Sequence, residues 1–218
     1  MPCCPLVHGA VREKRERKAM LLQKLKSQAV KKGLVRPGDE IDARMAFFLV
    51  RDMPYERATS REPETIIREW RGTCSGKHYL LKALFAELGY ASRVILCTTV
   101  TKLDRQHTPE ALHDLIERSN GRFVDAHNYL ILELPAGDMI VDATWPLSTR
   151  GKGTVVNEEF VLGENQEIAA EPLQTWVVPN DRPPQQFKAE ILQANFSSQE
   201  LAFREEYIEL LTGLFADN

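Results

Sequence analysis

Cys74 lies where a sequence pattern predicts a reactive thiol. Arg71-Gly72-Thr73 predicts a tight turn, and apolar side chains then recur at helical spacing until Gly89 ends the pattern. Backbone N–H groups and the helix dipole at a helix N-terminus lower a thiol pKa and can hold a developing oxyanion. A thiolate there can attack a carbonyl carbon if a base reaches it. The alternative is that Cys74 is a small, buried, apolar side chain.

A histidine and an aspartate on one predicted β-hairpin could supply that base. The pattern predicts a strand over 126–134, a turn over 135–138 and a returning strand over 139–145. His127 opens the first strand and Asp142 closes the second, at positions that come opposite or nearly so. A carboxylate that orients an imidazole leaves the other ring nitrogen for the thiol. Taken singly, each residue is also explained as a strand-end or turn side chain.

The order of these three residues resembles the transglutaminase-like superfamily of papain-type cysteine enzymes. The resemblance covers about 39–145. It rests on R-D-M-P-Y-E (51–56), on P-E-T-I-I-R-E-W-R-G-T-C (63–74), on L-L-K-A-L-F-A-E-L-G-Y-A-S-R-V (80–94) and on D-A-T-W (142–145). It implies an α+β fold in which the nucleophile's helix packs on an antiparallel sheet. It also implies a cysteine-dependent hydrolase or acyltransferase that acts on a peptide, protein or small amide through an acyl-enzyme thioester.

The resemblance assigns the roles residue by residue. Cys74 would be the nucleophile, His127 the general base and then acid, and Asp142 the residue that orients His127. Tyr55 and Trp70 are candidates for lining the cleft or assisting the oxyanion, for which the Cys74 N–H is the favoured donor. Acidic clusters like those of calcium-dependent members are not found, so no metal or other cofactor is implied.

Three alternatives stay open at this stage. His78, four residues after Cys74 on the same helix face, could replace His127 as the base or form half of a metal site. Arylamine N-acetyltransferases share the triad, but R-G-T-C lacks the Phe-Glu-x-Asn that usually follows there, and D-A-T-W departs from their Asp-Val-Gly-Phe. The third is an inactive transglutaminase-like module that binds a protein partner.

The remaining elements frame this core within one predicted domain, 1–218, with the core at about 39–180. A basic helix over about 11–32 precedes it, and a second helix is capped by Asp39, with Asp42 three residues on. Residues 93–100 predict a strand with Cys97 in the core, and 172–179 predict the last strand. A capping box at 197–200 opens a C-terminal helix over about 198–215.

Composition and charge narrow the partners. The 218 residues carry a net charge of −3, and nine Lys or Arg stand between Arg12 and Lys32. That segment fits nucleic-acid binding, but no aromatic interleaving accompanies it, so we expect a solvated helix face and no nucleic acid. No apolar run approaches a membrane span and no signal pattern opens the chain, which predicts a cytoplasmic protein without a membrane partner. Oligomeric state is left open.

Overall fold

A computed structural model describes residues 21–216, with side chains described as far as 211. Within this range the fold is α+β, as predicted, with seven helices and a four-stranded antiparallel sheet. Two 3₁₀ turns, Glu110–Leu112 and Leu147–Thr149, accompany them. The helices are α1 (21–31), α2 (Ala43–Arg51), α3 (Pro63–Glu69), α4 (Cys74–Glu87), α5 (His113–Ser119), α6 (Pro184–Asn195) and α7 (Ser198–Ala216), and the strands are β1 (Ala91–Lys102), β2 (Arg122–Leu134), β3 (Gly137–Val141) and β4 (Gln174–Val177).

The sheet has the order β3-β2-β1-β4, and β2 pairs with both of its neighbours. β2 begins at Arg122, four residues earlier than predicted, because residues 122–125 continue the pairing with β1. His127 therefore lies inside the strand. β3 ends at Val141, which pairs with Leu130, so continuing the register sets Asp142 opposite Tyr129. His127 and Asp142 are two positions out of register, a diagonal that keeps them on one sheet face.

Helix α4 forms the centre of the main core. It packs on β1 and β2 on one side and against α2 and α3 on the other. Phe47 of α2 and Phe85 of α4 are fully buried, and both stack on Phe160 from the loop after β3. A Cβ added at Gly76 would come 2.6 Å from Ile66 Cδ1 of α3. The first turn of α4 is thus held closely between its neighbours, which fixes the position of Cys74.

The start of helix α2 differs from the sequence expectation. Asp42, and not Asp39, is the N-cap of α2, since its Oδ1 accepts the Met45 N–H at 2.7 Å. Asp39 instead accepts the Arg36 N–H and closes the preceding turn. Trp70 ends α3 in a left-handed conformation with φ 54°. Its indole is buried in the core beneath the Lys32 ammonium.

A second apolar cluster joins α5 to the C-terminal helix α7. Leu112, Leu115, Ile116 and Phe123 are buried together, and Tyr207 of α7 stacks on Phe123 with ring centroids 4.6 Å apart. Salt bridges from Arg118 and Arg122 to Glu206 and Glu200 add to this contact. These contacts hold helix α7 against β2.

The basic helix is only partly within the described range. In α1, Leu25 and Ala29 face the core, while Glu87 of α4 accepts the N–H groups of Leu21 and Leu22. Arg12 to Lys18, with Cys3 and Cys4, lie outside the described residues. Within the described residues, no helix is both long and apolar enough to cross a membrane.

Candidate active site

Cys74 is the first residue of α4, after the extended Thr73. The first N–H groups of a helix have no partner within the helix, so those of Cys74 and Ser75 belong to its positive end. The Cys74 side chain is 4% exposed. The sulfur thus lies in a nearly closed site beside hydrogen-bond donors that a developing oxyanion requires.

His127 and Asp142 meet as the hairpin suggested. The His127 Nε2–H donates to Asp142 Oδ2 at 2.7 Å, and both side chains are buried. Nδ1 is the ring nitrogen left for the thiol, and His127 and Cys74 lie near enough for each to shift the pKa of the other. Three residues far apart in the sequence are therefore gathered at one site, with the imidazole bonded to the carboxylate and electrostatically coupled to the thiol.

Two residues of α4 fasten the cysteine helix to the segment that carries Asp142. The His78 Nδ1–H donates to the Cys74 carbonyl at 2.7 Å, and its Nε2 accepts the Ala143 N–H at 3.0 Å. The Lys77 ammonium donates to the Thr144 carbonyl at 2.9 Å and to the Arg51 carbonyl at 2.8 Å. Both side chains are fully buried. Both ring nitrogens of His78 are thus engaged with backbone groups, and Nε2 also lies 3.6 Å from Asp142 Oδ1.

The loop after β3 encloses the Asp142 carboxylate. Oδ2 also accepts the Ala169 N–H at 2.9 Å, and Oδ1 accepts the Thr144 N–H at 3.0 Å. Gln166 and Asn157 hold the Asp142 backbone on either side. The bonds to the two carboxylate oxygens favour the ionised form, and together with the charge of His127 they hold the pKa of Asp142 well below the usual range despite burial.

Electrostatics favour an ion pair of thiolate and imidazolium. Burial raises the pKa of the Cys74 thiol, but the Lys188 ammonium and the hydrogen bond from His127 outweigh it and lower the value to about 6. Burial lowers the pKa of His127, and the Asp142 charge reverses this and raises it to about 10. At neutral pH the cysteine is therefore ionised and the imidazole protonated, the state that nucleophilic attack requires.

The pKa of His78 is shifted in the opposite direction to that of His127, and this shift gives a prediction for the stability of the fold. Burial is the main cause that lowers the pKa of His78 to about 4. The unfolded chain takes up a proton near pH 6.5 while the folded chain does not, so acid favours unfolding. Between pH 6.5 and 5 the free energy of unfolding should fall by about 1.6 kcal/mol through this group, with a slope that approaches roughly 1.4 kcal/mol per pH unit at the lower end.

Urea denaturation at several pH values tests this. His78→Gln should lose the slope between pH 6.5 and 5, and the exposed His107→Gln should keep it. Equal slopes in all three proteins would mean that His78 does not remain neutral in the fold.

A small cavity lies beside His127. It measures about 100 Å³ and is lined by Tyr55, Asp125, Trp145, Arg204 and Tyr207, among others. Tyr55 and Trp145 pack with ring centroids 4.2 Å apart, and burial raises the pKa of Tyr55. Of the two cleft candidates, Tyr55 reaches this cavity, whereas Trp70 is a core residue and is not part of its lining.

Helix α7 closes the cavity from outside. Arg204 donates to Asp125 Oδ1 at 2.6 Å, and its guanidinium is nearly buried. A larger cavity of about 640 Å³ shares Trp145, Tyr207 and Leu211 with the small one. The two spaces therefore share these walls beside α7, and the larger one is also bordered by 151–154 and by residues near His107.

Sequence reasoning missed the residues that come from the C-terminal helices. Lys188 of α6 is buried and donates to the Ala126 carbonyl and, at 3.4 Å, to Ser75 Oγ. Ser75 in turn donates to Asn128 Oδ1 at 2.7 Å. One signal was present, since Lys188 follows Phe187 and precedes Leu192 by four residues, which puts a lysine on the apolar face of its helix.

Comparison with known proteins leaves the site to be judged on its geometry. No family model, curated protein or solved structure matches this chain. Within residues 21–216, no group of three or more His, Cys, Asp or Glu side chains is placed to hold a metal ion. The arrangement can act as a nucleophile with its acid-base partner, and the donors to an oxyanion come from the backbone of α4.

Proposed function

We propose that this chain is a cysteine-dependent hydrolase or acyltransferase that cleaves an amide or peptide bond through an acyl-enzyme thioester, on a papain-like core of the transglutaminase-like kind. One observation carries the proposal: His127 donates to Asp142 at 2.7 Å through Nε2, and its imidazole is coupled to the thiol of Cys74, the first residue of helix α4. This order of contacts is what a cysteine nucleophile needs from a base and an orienting acid.

The reaction follows from the protonation states. The Cys74 thiolate attacks the carbonyl carbon, and the new oxyanion is held by first-turn N–H groups of α4. The imidazolium of His127 gives its proton to the departing amine as the C–N bond breaks, which leaves the thioester and a neutral imidazole. His127 then removes a proton from water or from an acceptor amine as that nucleophile attacks, and the thiolate is restored. Asp142 keeps the Nε2–H fixed throughout and stabilises the cationic ring.

Selective alkylation tests the proposal. Peptide-resolved rates of reaction with iodoacetamide should show Cys74 labelled far faster than Cys97, by at least about 100-fold at pH 7, because only ionised thiols react. Cys97 is a good internal reference, being fully buried, with a pKa that burial raises to about 12. Its own rate also reports any general unfolding.

The other outcomes separate the alternatives. Equal, slow labelling of Cys74 and Cys97 would overturn the enzymatic proposal and favour a module that only binds a partner. Rapid labelling followed by acetylation of Cys74 by acetyl-coenzyme A, but not by amide donors, would favour the acetyltransferase. Acylation of Cys74 by an amide or activated ester, with release of the amine or alcohol, would support the proposal.

A further inference from the structure

Lys188 is a buried cation next to both members of the proposed ion pair. Its ammonium donates to the carbonyl of Ala126, the residue before His127, and at 3.4 Å to the hydroxyl of Ser75, the residue after Cys74. The side chain is 7% exposed. Helix α6 thus inserts a positive charge between the strand that carries the histidine and the helix that carries the cysteine.

The hydrogen-bond partners of Lys188 are both uncharged. Within residues 21–216, no carboxylate forms a salt bridge with it. Asp125 is near enough for its pKa to be lowered by Lys188, but Asp125 already accepts from Arg204 at 2.6 Å. A buried ammonium is costly unless a negative charge compensates it. The Cys74 thiolate is the negative charge that the site offers.

The other ionisable groups around Cys74 do not play this part. They are Lys77, His78 and Tyr79 from α4, Asp125 and His127 from β2, Cys97 from β1, Arg204 from α7, and Tyr55, with Asp142 acting through His127. Arg204 is paired with Asp125. Burial lowers the pKa of Lys77 to about 7, so its charge is partial at neutral pH, and its ammonium donates to the carbonyls of Arg51 and Thr144. His127 is a cation only while it holds its proton. Lys188 therefore adds a positive charge near Cys74 that does not depend on the protonation of His127.

We infer that Lys188 is a second counter-ion of the Cys74 thiolate, held by Ala126 and Ser75, so that the thiolate does not depend on the charge of His127 alone. The inference rests on the proposed function and extends it. In this role Lys188 does not contact the substrate, and it acts by stabilising the charge on the Cys74 sulfur. During turnover the thiolate is restored when the second tetrahedral intermediate collapses, and a fixed ammonium near the sulfur adds to the charge of the imidazolium in stabilising it at that step.

The test is the pH dependence of Cys74 alkylation by iodoacetamide in the full chain, with Cys97 as reference. Lys188→Met removes the charge and keeps an apolar stem of similar length. Its midpoint should rise by about one pH unit, which makes labelling below the midpoint about tenfold slower. Lys188→Arg should restore most of the wild-type profile. Lys82→Met, which removes a half-buried lysine of α4 that bonds Asn180, should not change it.

Two more variants separate charge from architecture. Ser75→Ala deletes one hydrogen bond of Lys188 and leaves the ammonium, so its midpoint should move by far less than that of Lys188→Met. Adding Lys188→Met to His127→Ala should slow labelling further, because the two cations act independently. Circular dichroism should show all variants folded. A Lys188→Met profile that superimposes on the wild type, or a Ser75→Ala shift as large as that of Lys188→Met, would overturn the inference.

The same data keep the two proposals apart. A depressed wild-type midpoint that Lys188→Met leaves unchanged refutes the inference while the enzymatic proposal stands. A midpoint that rises in Lys188→Met, in a protein that no amide or activated ester acylates, supports the inference and refutes the enzymatic proposal. A wild-type midpoint at the ordinary value of a thiol refutes both.

Discussion

Asp142→Asn should lower the free energy of unfolding by about 3–5 kcal/mol, the range expected when one partner of a buried ion pair is removed. The carboxylate accepts from His127 and Ala169 through Oδ2 and from Thr144 through Oδ1. An asparagine must turn its NH₂ group toward one of these sets, where donor would face donor. It also leaves the imidazolium of His127 without its counter-ion.

Urea denaturation measures this loss, and its pH dependence identifies the cause. The pKa of His127 is raised in the fold, so its pairing with Asp142 stabilises fully below about pH 6.5 and this contribution is lost as the pH rises toward 10. The gap between wild type and Asp142→Asn should therefore narrow from pH 6.5 to 10. Asp138→Asn is the matched control, since Asp138 is an exposed carboxylate on the same hairpin that pairs with Arg93. It should cost less than about 1 kcal/mol, and a similar cost for Asp142→Asn would contradict the pairing.

Local patterns were enough to find the three residues that the structure joins. A turn followed by apolar residues with a period of 3.6 predicts the N-terminus of a helix. Two runs with strand pattern on either side of Pro135 to Asp138 predict a hairpin. The antiparallel hairpin alone brings the strand of His127 to the strand of Asp142. The diagonal offset was less accessible, because it depends on β3 ending at Val141 and on the loop through Ala169, which bonds the carboxylate directly.

The residues that were missed depend on packing between distant segments. Lys188 is 113 residues from Ser75 in the sequence, and Arg204 is 79 from Asp125. The hydrophobic period of α6 or α7 predicts that one face is buried, but it does not predict which part of the protein that face will contact. Trp70 shows the converse, since its closeness to Cys74 in the chain suggested the cleft, while the left-handed end of α3 turns its indole into the core.

Two histidines lie at this site, and they differ in their hydrogen-bond partners and in the direction of their pKa shifts. His127 bonds the Asp142 carboxylate and is coupled to the Cys74 thiol, and its pKa is raised to about 10. His78 has its Nδ1–H on the Cys74 carbonyl and its Nε2 on the Ala143 N–H, and its pKa is lowered to about 4. Of the two, His127 is the one that holds a proton at neutral pH and can deliver it to the amine that leaves the acyl carbon.

His127→Ala should therefore block turnover after the thioester has formed. With p-nitrophenyl acetate as acyl donor, the good leaving group needs no protonation, and Lys188 still favours a thiolate at Cys74. Deacylation does need a base, so its rate should fall by about 10²- to 10⁴-fold. The acetyl group should then persist on Cys74, where peptide mass spectrometry detects it, while the wild type releases acetate.

His78→Gln should be less stable, because it loses hydrogen bonds that tie α4 to the Asp142 segment, yet should still release acetate from the folded protein. If the acetyl group instead accumulates in His78→Gln and clears in His127→Ala, the base of this site is His78 and the order of the triad is wrong.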